Sequence, residues 1–584
     1  MQLGSAALHG ARFVLATAGT SLVLVGIATL ATGRSQRFLF AALDLALTLL
    51  LCVDLLHFRA FGDLPTVASL RFVGMAAAVG GAVVDLFRPI DLPLFAGLPL
   101  LLLPPGTGRR SSPRAAIALA TVGVVLLLAT FATAKHRRRY KGNAWFASYV
   151  GFAGYHATDL HAYASKLSRR LAGREEAANR VREFLGARTA QPLSERWAAA
   201  AGSNVIVVQL ESFQGFGVGR TVGGQQVTPH LDALARESVH FTGFFEQTGF
   251  GRTSDAQFTA NCSLFAVRDG AVVFEYPQND FRCLPSVLKE AGYHTALFQP
   301  LGRDFWNSAV FDPRLGFEEV VSARDLEPDE IIGLGLSDRA FFRQLASRLE
   351  RLPEPFYAFA LSVTSHTPYA DRKLPRSLEL GELEGTRVGW YLHALHYTDA
   401  AFGELVGALG QSGLLDRSLL VVYGDHDGVT RQTGNLGDLL PLADDDAFAW
   451  AREEQRVPLY VRLPGGTVVE QRDEAGGQLD LAPTMLGLLG VPADGTVFLG
   501  TDLFAPVAGT RSVAFLDGSV ITADRLAVPG GDCYGPGTAL RREECAGLLS
   551  TWEPMLRASA EILDSNLVPM LVERQELLVD AEAE

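Results

Sequence analysis

Cysteine is scarce, with five in 584 residues, and none stands in a Cys-x-x-Cys pair. That excludes the thiolate zinc sites built on such a spacing. Basic charge is also short: 51 Lys and Arg face 64 Asp and Glu, leaving a formal charge of −13. The acidic excess lies mainly in the polar part of the chain and argues against nucleic acid as a partner. No internal repeat and no low-complexity tract breaks the sequence. Of the cysteines, Cys52 falls in a long apolar run. The other four form two sequence-local pairs, Cys262 with Cys283 and Cys533 with Cys545, which suit disulfides in an oxidising compartment.

What the first 134 residues have is apolar length. Phe13 to Thr32 and Ala115 to Ala134 carry no charge, and each would make a helix about 30 Å long, enough to cross a bilayer. Phe38 to Phe58 and Phe72 to Phe87 are similar but contain Asp44, Asp54 and Asp85, and Leu92 to Leu103 is shorter. The expectation is four or five spans, with five preferred. Asp44 is costly in lipid, so it is expected to face the helix bundle as a hydrogen-bonded structural carboxylate. A cleaved signal peptide is discounted, because the start has little basic charge and further spans follow. The basic "KHRRRYKG" at 135–142 would be cytoplasmic by the positive-inside rule alone. Five spans and the cysteine pairs place it, and the domain after it, outside.

From Tyr149 to Arg188 the pattern is helical and amphipathic. Then "NVIVVQL" at 204–210 opens a series of short apolar runs: "HTALF", "FYAFALSV", "SLLVVYG" and "VPLYVRL". Helical stretches separate them. Strands apolar on both faces that alternate with helices imply an α/β domain with a doubly wound, mostly parallel sheet. The expected domains are a transmembrane part at 1–140, a connector at 141–200, a catalytic domain at 201–530 and a C-terminal helical extension at 531–584.

Ligands of such sheets gather beyond the carboxyl ends of the strands. Glu211 follows the first run, His366 follows "FALSVTS", and Asp425, His426 and Asp427 follow "LLVVYG". Phe305 and Trp306 follow "HTALFQPLGRD". Glu211, Asp425 and His426 make a mixed oxygen and nitrogen set suited to one divalent metal, Mn²⁺ first, with Zn²⁺ or Mg²⁺ as alternatives and Ca²⁺ disfavoured. In "FEQTGFGRTSDAQF", Gly249 and Gly251 permit tight backbone, and Ser254 and Asp255 favour a helix start. Thr253 is thereby set at the positive end of a helix, where an anion binds. A threonine hydroxyl joined to the metal set becomes a nucleophile. Taken singly, Thr253 also reads as a plain helix cap and "DHDG" as a plain loop. His393 and His396, at helical spacing, read as packed helix residues.

In order along the chain, "NVIVVQLES", "TPHLDALARESVHFTGFFEQTGFGRTSDAQF", "FWN", "SVTSHTPY", "YTDAAFGEL", "VVYGDHDG", "VPLYVRLPG" and "GQLDLAPTMLGLLG" strongly resemble the lipoteichoic acid synthase and phosphoglycerol transferase family. That family lies within the sulfatase and alkaline phosphatase-like superfamily, and the resemblance runs from Asn204 to Phe504. It implies a multi-pass cell-membrane enzyme with an extracytoplasmic catalytic domain. Glu211, Thr253, Asp425 and His426 would be its metal ligands, Thr253 its nucleophile, and His366 a phosphate contact or proton-transfer residue. Trp306 would be a substrate-pocket tryptophan. The implied donor is an anionic, phosphatidylglycerol-like lipid. The implied acceptor is a hydroxyl of a glycan or glycerophosphate.

The chain departs from the family pattern in its pocket. Ser308 stands where an arginine grips the phosphate, and Gln299 and Leu301 replace a histidine and an acid. Arg303 is the expected substitute substrate contact, with Arg314 as the second choice. Three alternatives follow: a phosphoethanolamine transferase, a sulfatase-like phosphodiester hydrolase, and a catalytically silent membrane sensor or binding module. A true sulfatase is disfavoured, since "GRTSDAQ" lacks the Cys/Ser-x-Pro-x-Arg context for formylglycine. The amphipathic C-terminal "RASAEILDSNLVPMLVERQELL" is expected to dock on the catalytic domain.

Overall fold

The computed structural model describes residues 2–61, 64–67, 87–97, 112–134, 142–170, 173–188, 192–268, 270–303, 305–433, 436–507 and 509–572. The chain divides into two compact units, Met1–Ser168 and Arg169–Glu584.

The first unit is helical: α1 (Gln2–Leu30), α2 (Gly33–Phe61), α3 (Pro113–Ala134) and α4 (Gly142–Arg170). Three stretches among the described residues are long and apolar enough to cross a membrane: Phe13–Leu30, Ser35–Arg59 and Pro113–Thr130. Small residues let α1 and α3 touch along their backbones. A Cβ on Gly26 would lie 2.8 Å from the Ala116 carbonyl oxygen, and one on Gly123 would lie 2.5 Å from that of Gly19. Two acids in this unit have partners. Arg59 meets Asp91 at 2.6 Å, and His156 meets Asp54 at 3.0 Å. Asp44 lacks the expected partner at one oxygen: its Oδ2 is buried with no hydrogen bond among the described residues. The expected span at Phe72–Phe87 lies almost wholly outside the described residues, as does the second half of Leu92–Leu103. The described start of the latter belongs to a short 3-10 turn, Pro89–Phe95.

The second unit begins with α5 (Arg174–Ala187) and is built on an eight-stranded sheet. In chain order the strands are β1 (Asn204–Leu210), β2 (Val239–Phe241), β3 (His294–Phe298), β4 (Glu319–Val321), β5 (Phe356–Leu361), β6 (Ser418–Gly424), β7 (Leu459–Arg462) and β8 (Glu470–Arg472). Across the sheet they run β8-β2-β7-β6-β1-β5-β3-β4. β1 is central, parallel to β5 and β6, with Val205 opposite Tyr357 and Leu419. Every residue of β1, β5 and β6 is buried, as strands covered on both faces require. On one face Ile206, Val208 and Leu210 pack into a core with Phe341 and Leu345 of α8 (Asp338–Leu349) and with Leu392 and Leu395 of α9 (Arg387–Gln411). Each such apolar side chain stabilises the fold by about 1.5–3 kcal/mol relative to exposure.

Only β7 runs against the others, antiparallel to both β6 and β2. The chain from β6 to β7 does not cross back over the sheet. It forms a loop and a short helix, α10 (Ala447–Gln455), at the carboxyl edge and re-enters from there, with Gly424 N donating to Pro458 O at 3.0 Å.

Beyond the main sheet, residues 512–540 form a five-stranded antiparallel sheet: β9 (Ser512–Ala514), β10 (Val520–Thr522), β11 (Leu526–Val528), β12 (Asp532–Gly535) and β13 (Thr538–Leu540). The boundary expected at 530/531 falls inside it, so the C-terminal segment is strand first and helix second. The helix α11 (Ala546–Ser565) docks through Ala558, Ser559, Ile562 and Leu563, and Ser559 Oγ donates to Phe265 O at 3.0 Å. Both cysteine pairs are bonded, Cys262–Cys283 and Cys533–Cys545.

Candidate active site

The loops leaving β1 and β6 bring three side chains together. Glu211, Asp425 and His426 are buried, and one ligand atom from each lies within 4.8 Å of the others. His426 Nε2 is 3.5 Å from Glu211 Oε1 and 3.6 Å from Asp425 Oδ2. The imidazole is oriented from behind: its Nδ1 donates to the Asp427 carbonyl at 2.8 Å, so Nε2 turns its lone pair inward. Asp425 Oδ1 accepts from the backbone N–H groups of Ser212 and His426, at 2.6 and 2.8 Å. Glu211 is fixed through its backbone, its N–H donating to Ser362 Oγ at 2.8 Å and its carbonyl accepting from Ser365 Oγ at 2.5 Å.

Thr253 joins this group from another element. It is the second residue of α6 (Arg252–Cys262), whose N-cap is Gly251. Its hydroxyl donates to Glu211 Oε2 at 3.0 Å and lies 3.3 Å from His426 Nε2. The flanking glycines are required by space. A Cβ on Gly251 would sit 2.6 Å from Ala271 Cβ, and one on Gly249 would sit 2.5 Å from Val267 O. Asp255 supports the helix start, as the sequence suggests. It sits inside the first turn and reaches back, its Oδ2 accepting from Gly249 N at 3.0 Å and Gly251 N at 2.9 Å.

Several supporting residues escaped the sequence reading. Gln209, a polar residue in the interior of β1, donates through Nε2 to Thr253 O at 3.0 Å and to Asp425 Oδ2 at 3.3 Å, while its Oε1 accepts from Tyr423 Oη at 2.6 Å. A glutamine inside an otherwise apolar strand was the available signal. Arg252 pairs with Asp427, and Glu246 Oε1 accepts from Asp427 N at 3.2 Å. Ser212, Arg252 and Trp306 all have positive φ, at 48°, 44° and 49°. Backbone strain in non-glycine residues thus collects at this edge.

Burial sets the electrostatics. It pushes the Asp425 carboxyl well above the usual range, with Glu211 adding to the effect, and it pushes His426 well below, with Arg252 adding. Two buried carboxylates beside a neutral imidazole with its lone pair turned inward are short of positive charge. The residues present therefore fit one divalent cation, with the Thr253 hydroxyl as a further oxygen donor.

A pocket opens in front of Thr253, lined in part by Glu211, Trp306 and His366. His366 Nδ1 is tied to Thr367 O at 2.5 Å, and Trp306 meets Phe305 edge-on at 5.9 Å. Gln299, Leu301 and Ser308 line the same pocket. Arg303 and Arg314 are engaged elsewhere and are not among the lining residues. Arg303 bonds Val320 O at 3.0 Å and Asp325 at 3.2 Å, and Arg314 bonds Gln278 Oε1 at 2.8 Å. His393 and His396 are packed helix residues, bonded to Glu384 at 3.2 Å and to Val227 O at 3.0 Å.

Comparison with known proteins agrees with this arrangement. Residues 203–491 match the sulfatase family, and residues 2–171 match the lipoteichoic acid synthase N-terminal domain. Lipoteichoic acid synthase 1 of Bacillus subtilis is 28% identical over 521 residues, covering 86% of this chain and 81% of its own length. The lipoteichoic acid synthase-like YvgJ of the same organism is 27% identical and covers 94% and 91%. The crystal structure of the lipoteichoic acid synthase LtaP from Listeria monocytogenes superposes with a TM-score of 0.57 at 25% identity, covering 68% of this chain and 98% of that one. The chain belongs to the lipoteichoic acid synthase family, within the sulfatase and alkaline phosphatase-like superfamily.

Proposed function

We propose that the protein is a multi-pass membrane phosphoglycerol transferase that moves a glycerophosphate group from a phosphatidylglycerol-like lipid to an acceptor hydroxyl, through a phospho-threonine at Thr253. The observation that carries this reading is the Thr253 hydroxyl, 3.0 Å from Glu211 Oε2 and 3.3 Å from His426 Nε2, at the start of a helix. The names of the relatives support the substrate class, and the three apolar helices support attachment to a membrane. Two disulfides favour an extracytoplasmic position for the catalytic unit.

Glu211, Asp425, His426 and the Thr253 hydroxyl would hold one divalent cation, Mn²⁺ by preference, which supplies positive charge that makes the hydroxyl a better nucleophile. Thr253 Oγ1 forms a bond to phosphorus while the bond from phosphorus to the diacylglycerol oxygen breaks. Its proton leaves along the hydrogen bond that already points at Glu211 Oε2. The positive end of α6 would lie toward the phosphoryl oxygens. His366, on the pocket wall, gives a proton to the departing diacylglycerol oxygen. In the second step an acceptor hydroxyl, of a glycan or a glycerophosphate, attacks the same phosphorus and passes its proton to His366, while the bond from phosphorus to Thr253 Oγ1 breaks and Glu211 returns the proton to that oxygen. Splitting one displacement into two is the usual gain of covalent catalysis.

The test is incubation of the full chain in vesicles with Mn²⁺ and labelled phosphatidylglycerol, followed by mass spectrometry of protein and lipid. A glycerophosphate adduct on Thr253 and released diacylglycerol are expected. Thr253→Ala is expected to give neither, and undiminished turnover by that variant would exclude Thr253 as the nucleophile.

A further inference from the structure

The pocket in front of Thr253 contains a second polar group that the two displacement steps leave unused. Gln299 follows β3, Ser308 and Asp312 lie one turn apart on α7 (Ser308–Leu315), and Gln257 lies one turn beyond Thr253 on α6. These four form one chain of hydrogen bonds. Gln299 Nε2 donates to Ser308 Oγ at 2.7 Å, Ser308 Oγ donates to Asp312 Oδ2, and Gln257 Nε2 donates to Asp312 Oδ1 at 2.7 Å. All four are buried, between 3% and 7% exposed. All four line the pocket with Glu211 and Thr253, and no lysine or arginine does.

The direction of these bonds follows from the carboxylate, which only accepts. Its two oxygens take the Ser308 hydroxyl proton and a Gln257 amide proton. Ser308, having spent its proton, accepts from the Gln299 amide. One N–H of each glutamine is therefore committed to the chain that ends on Asp312. Neither glutamine carbonyl oxygen receives a bond from the described residues, so both remain as acceptors. Burial pushes Asp312 up to about 6, with the Ser308 and Gln257 bonds acting against the rise, so the group is ionised in neutral solution. The result is a wall that offers two free carbonyl acceptors backed by a negative charge, with no lysine or arginine on it.

We infer that Gln257, Gln299 and Ser308 read the head group of the donor lipid, that Asp312 positions them, and that the wall selects a head group bearing hydrogen-bond donors without further negative charge. Hydroxyls of a polyol or an ammonium group satisfy it. A choline group lacks the donors, and a head group with a second phosphate carries the wrong charge. The inference rests on the transferase reading above and adds the feature that sets its substrate preference.

The test uses the full chain with Mn²⁺ in vesicles carrying labelled phosphatidylglycerol, phosphatidylethanolamine, phosphatidylcholine or phosphatidylglycerol phosphate. The wild type is expected to release diacylglycerol from the first at least about tenfold faster, per KM, than from the last two, the scale of a lost hydrogen bond to a charged network. Ser308→Ala and Asp312→Asn are expected to raise KM for phosphatidylglycerol about tenfold with kcat nearly unchanged, and Ser308→Thr to restore it. Equal turnover of the choline lipid, or an unchanged KM in both variants, overturns the wall and leaves the transferase reading intact. Preference for the ethanolamine lipid keeps the wall and overturns phosphoglycerol as the group moved. No release from any lipid overturns both. The wild-type panel decides even where a variant fails to fold.

Discussion

Arg252 grips Asp427 twice, through its carboxylate and through its backbone carbonyl at 2.7 Å. Asp427 follows the candidate ligand His426, and the same carbonyl accepts from His426 Nδ1 at 2.8 Å. The first residue of α6 is thereby tied to the backbone that aims the imidazole. The pair fixes Thr253 and the histidine against each other.

Cutting that tie should slow the chemistry and leave binding alone. Arg252→Lys keeps the charge but loses the planar two-point grip. We expect kcat to fall about 10- to 100-fold, since an oriented constellation is sensitive to displacements on the order of 1 Å, with KM little changed. Steady-state kinetics on vesicle-borne donor lipid checks this, and a wild-type kcat in the lysine variant would show that the grip is dispensable.

Gln209 predicts a stability effect. Gln209→Leu is close in size but strips partners from the buried Asp425 Oδ2, the Thr253 carbonyl and Tyr423 Oη. Leaving buried polar groups unpaired costs about 1–3 kcal/mol each. Thermal denaturation should show a clear fall in Tm, and no change would mean that the three groups find other partners.

Metal binding can be read without turnover. A cation held only by the folded protein raises Tm with its concentration. Mn²⁺ should therefore raise the Tm of chelator-treated wild type, while Glu211→Gln and Asp425→Asn should lose most of that rise. Equal shifts in all three proteins would place the cation elsewhere.

His240 predicts the acid limb of stability. Burial, with Arg456 beside it, lowers its pKa from 6.5 to about 4, and the ring stacks on Tyr460 at 4.4 Å. Between those values the unfolded chain takes up a proton that the folded chain refuses. The stability it contributes is therefore full above 6.5 and is lost as pH falls toward 4. Urea melts across this window should fall less steeply for His240→Phe than for the wild type.

The sequence made some of this legible for physical reasons. β1, β3, β5 and β6 are almost wholly buried, so they read as short, mostly apolar runs, and Glu211, Asp425 and His426 come immediately after two of them. β2, β4 and β8 have three residues each, too few for any period to show. The reversed direction of β7 depends on the path of residues 425–458, which no local pattern records. Arg303 lies close to Trp306 in sequence, but its side chain turns back to Val320 and Asp325. Asp312 gave no signal at all, since its role comes only from meeting Ser308 and Gln257 in space.

The helix that carries Thr253 ends at Cys262, which is bonded to Cys283. One end of that helix is thus a tether that reducing surroundings would leave open. In a reducing space α6 would keep its packing, since residues 253–262 are buried, but would lose the covalent tie at its far end. Full stability of the second unit is thereby linked to an oxidising compartment.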